Sequence, residues 1–408
     1  MPPVSDTQSP SSADGVGSPA VSTVDTSAVD RSHPEGRLRK TTPFLVVVAL
    51  MAIVGLGDRR TGATVSAVSA DILKGATVTE QADRIGSIAG IPPAVPLPAD
   101  AQPVDTANPD RVVGTGTAAS CTSAAVIAAV ASGGIITFDC GPKPHTIVMD
   151  ATAKVVNTSQ KVVIDGGSKI TLDGNNQHRI LYMNTCDPAQ VWTTPQCDNQ
   201  MLPNLTVQNL TFTRGNSTEQ VFDGGGGGAV FVRGGRVRII NSTFTDNRCE
   251  ASGPDVGGGA LRVLSQYNGV PVIVATSSFT RNSCSNGGAL SSIGQSWQVY
   301  NSTFVQNTAI GNGANPARQG LPGGGNGGAM YFDGNKFDVD IAGAVISDNR
   351  ANEGGGAVFF VSNNLTGHLT INQSTLERNA SLGFETAGYP GIFYLGQGPL
   401  QITNTIIK

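Results

Sequence analysis

An alternation of apolar residues recurs seven times between Leu205 and Lys408, and repeats of this kind bury their apolar faces only by stacking on one another. The recurring anchor is Phe212, Phe244, Phe279, Phe304, Ile346, Leu376 and Ile407. Five residues before each anchor stand Val207, Ile239, Val274, Val299, Ile341, Ile371 and Ile402. Seven residues before it stand Leu205, Val237, Val272, Trp297, Val339, Leu369 and Leu400. Apolar residues at alternate positions mark strands, because side chains two apart share a face. Asn247, Asn282, Asn307, Asn349 or Asn379 follows three residues after the anchor in five of the seven repeats. Between repeats lies Gly-Gly-Ala plus an aliphatic residue, ending at Val230, Leu261, Leu290, Met330 and Val358.

Successive anchors lie 32, 35, 25, 42, 30 and 31 residues apart, so the coil is constant and the insertions are loops. Each coil holds two or three short strands with too few residues between them for crossover helices. The fold this predicts is all-β: a right-handed parallel β-helix, each strand pairing with its equivalent one coil on, about 4.8 Å away. Valines, isoleucines and leucines then stack inside. The asparagines form a column at a turn, where Asn tolerates left-handed backbone and its amide can bond the coils on either side. The Gly-Gly step gives a bend in which no Cβ meets the adjacent coil.

Cys249 and Cys284 each lie two residues after a column asparagine, on consecutive coils. Stacking brings their Cα atoms to about 5 Å, within disulfide range. The other cysteines form local pairs, Cys121 with Cys140 and Cys186 with Cys197. An even count fits an oxidising compartment, with buried free thiols as the competing reading. No Cys-x-x-Cys and no nearby histidine suggest zinc.

The amino-terminal hundred residues have another character. Residues 1–43 are rich in Ser, Pro, Thr, Val and Asp without periodicity and are expected to be disordered. The apolar run within 44–57 follows Arg37, Arg39 and Lys40, the build of a secretory signal or signal anchor. If uncleaved, it is the chain's expected contact with a membrane, although it is short for a span. Residues 58–107 contain IPPAVPLPAD and read as a flexible Pro/Ala-rich linker. The β-helix is assigned to 108–408. Thr122 to Ala131 is its one convincing helix, placed to cap the first coil, with Cys121–Cys140 pinning it to the strand Ile135 to Phe138. The chain stops one residue after the seventh anchor, which suggests a piece of a longer protein. A net charge of −4 with scattered Lys and Arg argues against a nucleic-acid partner. A monomer is expected.

The paired motifs GGAV/FTDN, GGAL/FTRN, GGAL/FVQN, GGAM/ISDN and GGAV/LERN, within residues 224–379, resemble the repeat of the chlamydial polymorphic outer-membrane proteins. Ile346 and Leu376 depart from the family's Phe. The segment from Gly114 through Gly174, with GTGTAASCTSAAVIAAVASGGIITFDC and VVIDGGSKITLDG, looks like the opening of pectate-lyase-like β-helix proteins. These resemblances imply an exported, extracellular or cell-surface protein, the outer membrane among the possible addresses. The carboxy-terminal membrane barrel of the chlamydial family has no counterpart in this sequence.

Such a scaffold hosts lyases, hydrolases and non-enzymes alike. The Asn-Thr-Asp, Asp-Asp and Gly-His-Gly motifs that mark inverting β-helix hydrolases are missing, and no catalytic residue is assigned. Asp246, Arg281, Gln306, Asp348 and Arg378 share a column, which favours lateral charge pairing over catalysis. Asp333, Asp338 and Asp340 are a conceivable calcium cluster, but Asp333 reads first as a turn residue and Asp340 as solvent-facing. No cofactor other than this weak calcium option is expected. Ser242, Ser277, Ser302 and Ser374 read as a hydroxyl ladder. The residue after each Gly-Gly-Ala-aliphatic step should face outward, which makes Phe231, Tyr331 and Phe359 candidate binding residues for sugar rings or a protein partner, unless a loop such as Gly311 to Asn326 covers them. The expected function is adhesion or another interaction, with a polysaccharide or cell-surface protein as partner; the alternative is a polysaccharide lyase or glycoside hydrolase.

Overall fold

The computed structural model describes residues 90–220 and 224–408, so the expectations for residues 1–43, for the apolar run within 44–57 and for the linker up to residue 89 lie outside the described residues. Within it, the strands form a 17-stranded, an 8-stranded and a 4-stranded sheet. Strand pairings in all three are parallel, and each joins equivalent positions of successive repeats. Ile239, Val274 and Val299 neighbour one another in one sheet, as the repeat register requires. This arrangement is consistent with a parallel β-helix.

One coil serves for all. Trp297–Tyr300 runs along the long sheet, and the chain turns at Asn301, with φ of 47°. Thr303–Val305 continues the same sheet, and a second turn at Gln306, φ 59°, leads to Thr308–Ala309 of the 4-stranded sheet. The glycines Gly327-Gly328 then lead into Met330–Gly334 of the 8-stranded sheet.

The interior is built of columns. Phe212, Phe244, Phe279 and Phe304 are fully buried and stack at 4.8 Å between successive ring centroids. Burying such a ring contributes about 1.5–3 kcal/mol. Beside them the asparagines form a continuous ladder. Asn247 donates to Asn282 Oδ1 at 2.9 Å, Asn282 to Asn307 at 2.9 Å, Asn307 to Asn349 at 2.9 Å and Asn349 to Asn379 at 2.8 Å. Each amide also donates to the carbonyl of the anchor residue one coil back, as Asn307 does to Phe279 at 2.9 Å. The left-handed residue at this turn is not the asparagine but the one before it: Asp246, Arg281, Gln306, Asp348 and Arg378 all have φ between 56° and 59° or, for Arg281, 54°. An asparagine whose amide must point along the stack keeps ordinary backbone, and the preceding residue, half-buried or exposed, takes the strain. The serines form the expected hydroxyl ladder, Ser277 Oγ accepting from Ser242 N–H and Ser302 Oγ from Ser277 N–H, each at 3.1 Å.

The helix spans Ser123–Ser132, with Thr122 as its N-cap accepting from Ala125 N–H and Gly133 closing it at φ 66°. Val126, Ala129 and Val130 join the main core. All three disulfides pair as the sequence suggests, with Cα–Cα distances of 5.6 Å for Cys121–Cys140, 4.9 Å for Cys186–Cys197 and 4.8 Å for Cys249–Cys284. Three bridges point to an oxidising, extracellular-type environment. Among the described residues no helix is long and apolar enough to cross a membrane. Cys249→Ala with Cys284→Ala should lower the unfolding free energy by about 2–4 kcal/mol in urea titration, and an unchanged midpoint would mean that the coils are not joined there.

The part of the expected flexible linker that is described, residues 90–107, lies against the long sheet. Its Val95 and Val104 bond to Asn301 and Gln208. Pro-rich composition reports poor packing within the segment itself, not whether side chains elsewhere hold it.

Candidate functional site

The outer face of the 8-stranded sheet carries one column of side chains in register: Tyr182, Phe231, Arg262, Ser291, Tyr331, Phe359 and Phe393. Phe231, Tyr331 and Phe359 do turn away from the central core, but their expected exposure is corrected by the structure. They are 0%, 0% and 2% exposed. Phe231 stacks on Tyr182 at 5.5 Å, with the Arg179 guanidinium 5.1 Å from its ring centre. Phe359 is enclosed by Phe393 at 5.1 Å and Phe384 at 6.4 Å. Tyr331 is held through its hydroxyl by Asn315, at 2.7 Å, from the insertion of residues 311–326. Alternation along a strand fixes which way a side chain points and says nothing of the loop laid over it.

That insertion completes a pocket. Asn315 Nδ2 reaches Tyr331 Oη, Asp333 Oδ2 at 2.6 Å and Asp255 Oδ1 at 3.2 Å, so one amide stands between two carboxylates from different coils. Tyr331 donates to Asp333 Oδ2 at 3.0 Å, and Asn363 donates to Asp333 Oδ1 at 3.0 Å. The cavity of about 340 Å³ is lined by these acids and amides and by Ile293, Phe359 and Val361. Burial pushes the Asp333 carboxyl above its ordinary value, against hydrogen bonds from Tyr331, the Gly334 N–H and Asn363, and the Asp255 charge adds to the rise. Burial, with the Asp333 charge next to it, also holds the Tyr331 phenol well up, so it remains a donor. Beneath lies Arg262, 2% exposed, its pKa lowered to about 10 by burial although Tyr331, Asp255 and Glu250 favour its charge.

Most other acids singled out in the sequence are engaged in pairing. Arg281 Nε donates to Asp246 at 2.8 Å and Arg378 Nε to Asp348 at 2.8 Å, one coil apart, while Arg214 pairs with Asp173. Glu353 is paired with Arg318 at 2.6 Å and accepts from Gly313 N–H at 2.9 Å, and Arg318 holds its carboxyl below the usual value. Asp338 meets His368 at 2.9 Å. Asp333 therefore joins Asp255 instead of Asp338 and Asp340, and the three acids of the conceived calcium cluster do not converge. Among the described residues, the group whose ligand atoms do converge is Cys186, Cys197 and Asp198, and its two sulfurs form a disulfide.

No protein family, curated protein or solved structure matches this chain. The site therefore stands on its own geometry, on a stacked parallel-β scaffold. Of its members, Tyr331, Phe359 and Asp333 had been singled out in the sequence. Asp255, Asn315 and Asn363 lie in no motif that marks them in the sequence. The one hint was the 42-residue spacing between Phe304 and Ile346, which announced a large insertion without saying where it lands.

Proposed function

We propose that the chain is an exported or cell-surface right-handed parallel β-helix, capped at its first coil by the helix Ser123–Ser132, that binds a saccharide in the pocket between Asp255 and Asp333. The observation carrying this is the single amide of Asn315 shared by two carboxylates above an apolar floor. A sugar offers many hydroxyl donors on one side and C–H surface on the other. Carboxylates and amides are the acceptors such hydroxyls need, and Ile293 and Val361 can meet the C–H face. Two acids in one pocket repel acidic sugars and favour neutral or amino sugars. The extracellular-type disulfides and the resemblance to surface-displayed repeat proteins support an adhesive or interaction role.

A second reading is favoured by the same acids. A carboxyl whose pKa burial raises, with a second carboxyl on the same Asn315 amide, is the kind of pair a glycoside hydrolase uses. One experiment separates the two. Wild-type protein, Asp333→Asn and Asp255→Asn are applied to an array of neutral, amino and acidic glycans, and bound glycans are then incubated with and without calcium. Binding weakened about tenfold in either variant, the loss of one charge-assisted hydrogen bond, is expected with no new reducing ends. New reducing ends that vanish in Asp333→Asn would establish the hydrolase. Undiminished binding in both variants would remove the pocket from the account.

Asp333 also makes a pH prediction. Its folded-state pKa is raised, so its contribution favours the fold at acid pH and is lost as pH rises through that value. The melting temperature of Asp333→Asn relative to wild type should therefore climb as pH rises from the acid range to neutrality. A constant difference would mean that burial does not raise the Asp333 carboxyl in the folded protein.

A further inference from the structure

We propose that the outer face of the long sheet is a recognition groove for an extended, proline-bearing peptide of a partner protein, filled in this structure by the chain's own residues 90–106. Pro92, Pro93, Pro96 and Pro98 keep that segment extended, and a short 3₁₀ turn follows at Ala99–Ala101. Two side-chain amides grip it as a neighbouring strand would. Asn301 accepts from Val95 N–H and donates to Val95 C=O, each at 2.8 Å. Gln208 accepts from Val104 N–H at 2.8 Å and donates to Val104 C=O at 2.9 Å. Further along, Thr375 donates to Gly90 C=O at 2.7 Å, and Arg238 donates to Asp100 C=O at 2.9 Å. These contacts read main-chain groups, so any peptide presenting them at the same spacing satisfies the groove.

Side-chain selection comes at three points, one of them Thr106, whose Oγ1 donates to Asp165 Oδ2 at 2.7 Å. Ala101 is fully buried against Ile273 and Ala275, with Leu97 and Tyr300 packed beside it, so only a small residue fits there. Next to it opens a cleft of about 490 Å³ whose lining includes Lys161, Arg236, Arg238 and Asp100. The preferred ligand is thus a proline-bearing segment with an acidic residue just before a small one. Ala101 is the segment's one buried residue, so directional hydrogen bonds outweigh apolar packing. Contacts of that kind exchange without dismantling a core.

The test keeps the full chain. A specific protease sequence is inserted between Ala107 and Asn108 and cut after folding, and a labelled peptide of residues 90–106 is added at micromolar concentration. We expect the cut segment to exchange with the labelled peptide at one per body, the circular dichroism and melting of the body being retained. Asn301→Ala with Gln208→Ala should weaken the peptide about tenfold or more, and a scrambled peptide with the same composition should not bind. Failure of the labelled peptide to bind a body that stays folded would overturn the proposal. So would unfolding of the body on loss of the segment, which would make it part of the fold. Dimers of the uncut chain with the segment exchanged would assign the face to a second copy, and displacement by an acidic saccharide would assign the cleft to sugars; either also overturns it.

Discussion

Replacing Asn307 by alanine is expected to lower the unfolding free energy by on the order of 4 kcal/mol, a large effect for one polar side chain. Asn307 is fully buried in the middle of the ladder. Its Oδ1 accepts from both the backbone N–H and the side-chain amide of Asn282, at 3.0 and 2.9 Å. Its Nδ2 donates to Phe279 C=O and to Asn349 Oδ1, each at 2.9 Å. Alanine therefore takes away the partner of the Asn282 N–H and the side-chain bond to the Phe279 carbonyl, and leaves the Asn282 and Asn349 amides each one partner short. Asn282 still donates to Phe244 C=O, and Asn349 Oδ1 still accepts from the residue 307 N–H. An unmet buried group costs about 1–3 kcal/mol. Asn307→Asp separates hydrogen bonding from shape. Its second oxygen would face the carbonyl of Phe279, so it too should destabilise, and more strongly as pH rises. Urea unfolding of the three proteins provides the comparison, and a loss below about 1 kcal/mol for the alanine variant would mean that the ladder is decoration.

Gly288→Ala is the second large expectation, at about 3 kcal/mol or more. A Cβ on Gly288 would lie 2.4 Å from the Gly328 carbonyl oxygen and 2.4 Å from the Thr308 nitrogen. Both are backbone atoms, held by the pairing of neighbouring coils, so neither can swing aside as a flexible side chain would. The same geometry recurs along the stack, Gly259 against Gly288 at 2.3 Å and Gly328 against Gly356 at 2.1 Å, which is why the second glycine of the motif repeats. Gly269→Ala is the contrast. It sits at φ 63° with open space around its missing Cβ, so only left-handed strain of about 1–2 kcal/mol is expected. Equal losses at the two positions in thermal unfolding would refute the close approach between coils.

These two positions explain what could be read from the sequence. Asn307 and Gly288 each recur once per coil, and a repeated residue reports a repeated environment. The register of Ile239, Val274 and Val299, the phenylalanine stack and the Cys249–Cys284 bridge follow from the same repetition. The pocket has no such redundancy. Asn315 comes from an insertion, Asp255 from another connection and Asn363 from a turn, and each occurs once, so nothing in the sequence ties them together. Phe231, Tyr331 and Phe359 fail as exposed rings because alternation orients them outward, while column neighbours such as Tyr182 and Phe393, together with the non-repeating Arg179, Asn315 and Phe384, cover them. Residues 90–106 read as a linker because their anchors, Asn301 and Gln208, look like an ordinary turn residue and an ordinary strand residue.

Stacking in register is the premise of every site described above, and the native cysteines test it without any substitution. Unreduced, folded protein would be alkylated, digested and mapped by mass spectrometry. The account predicts a peptide pair linking Cys249 to Cys284, alongside Cys121–Cys140 and Cys186–Cys197, and no alkylated thiol. Cys249 found alkylated, or bonded to any cysteine other than Cys284, would contradict it.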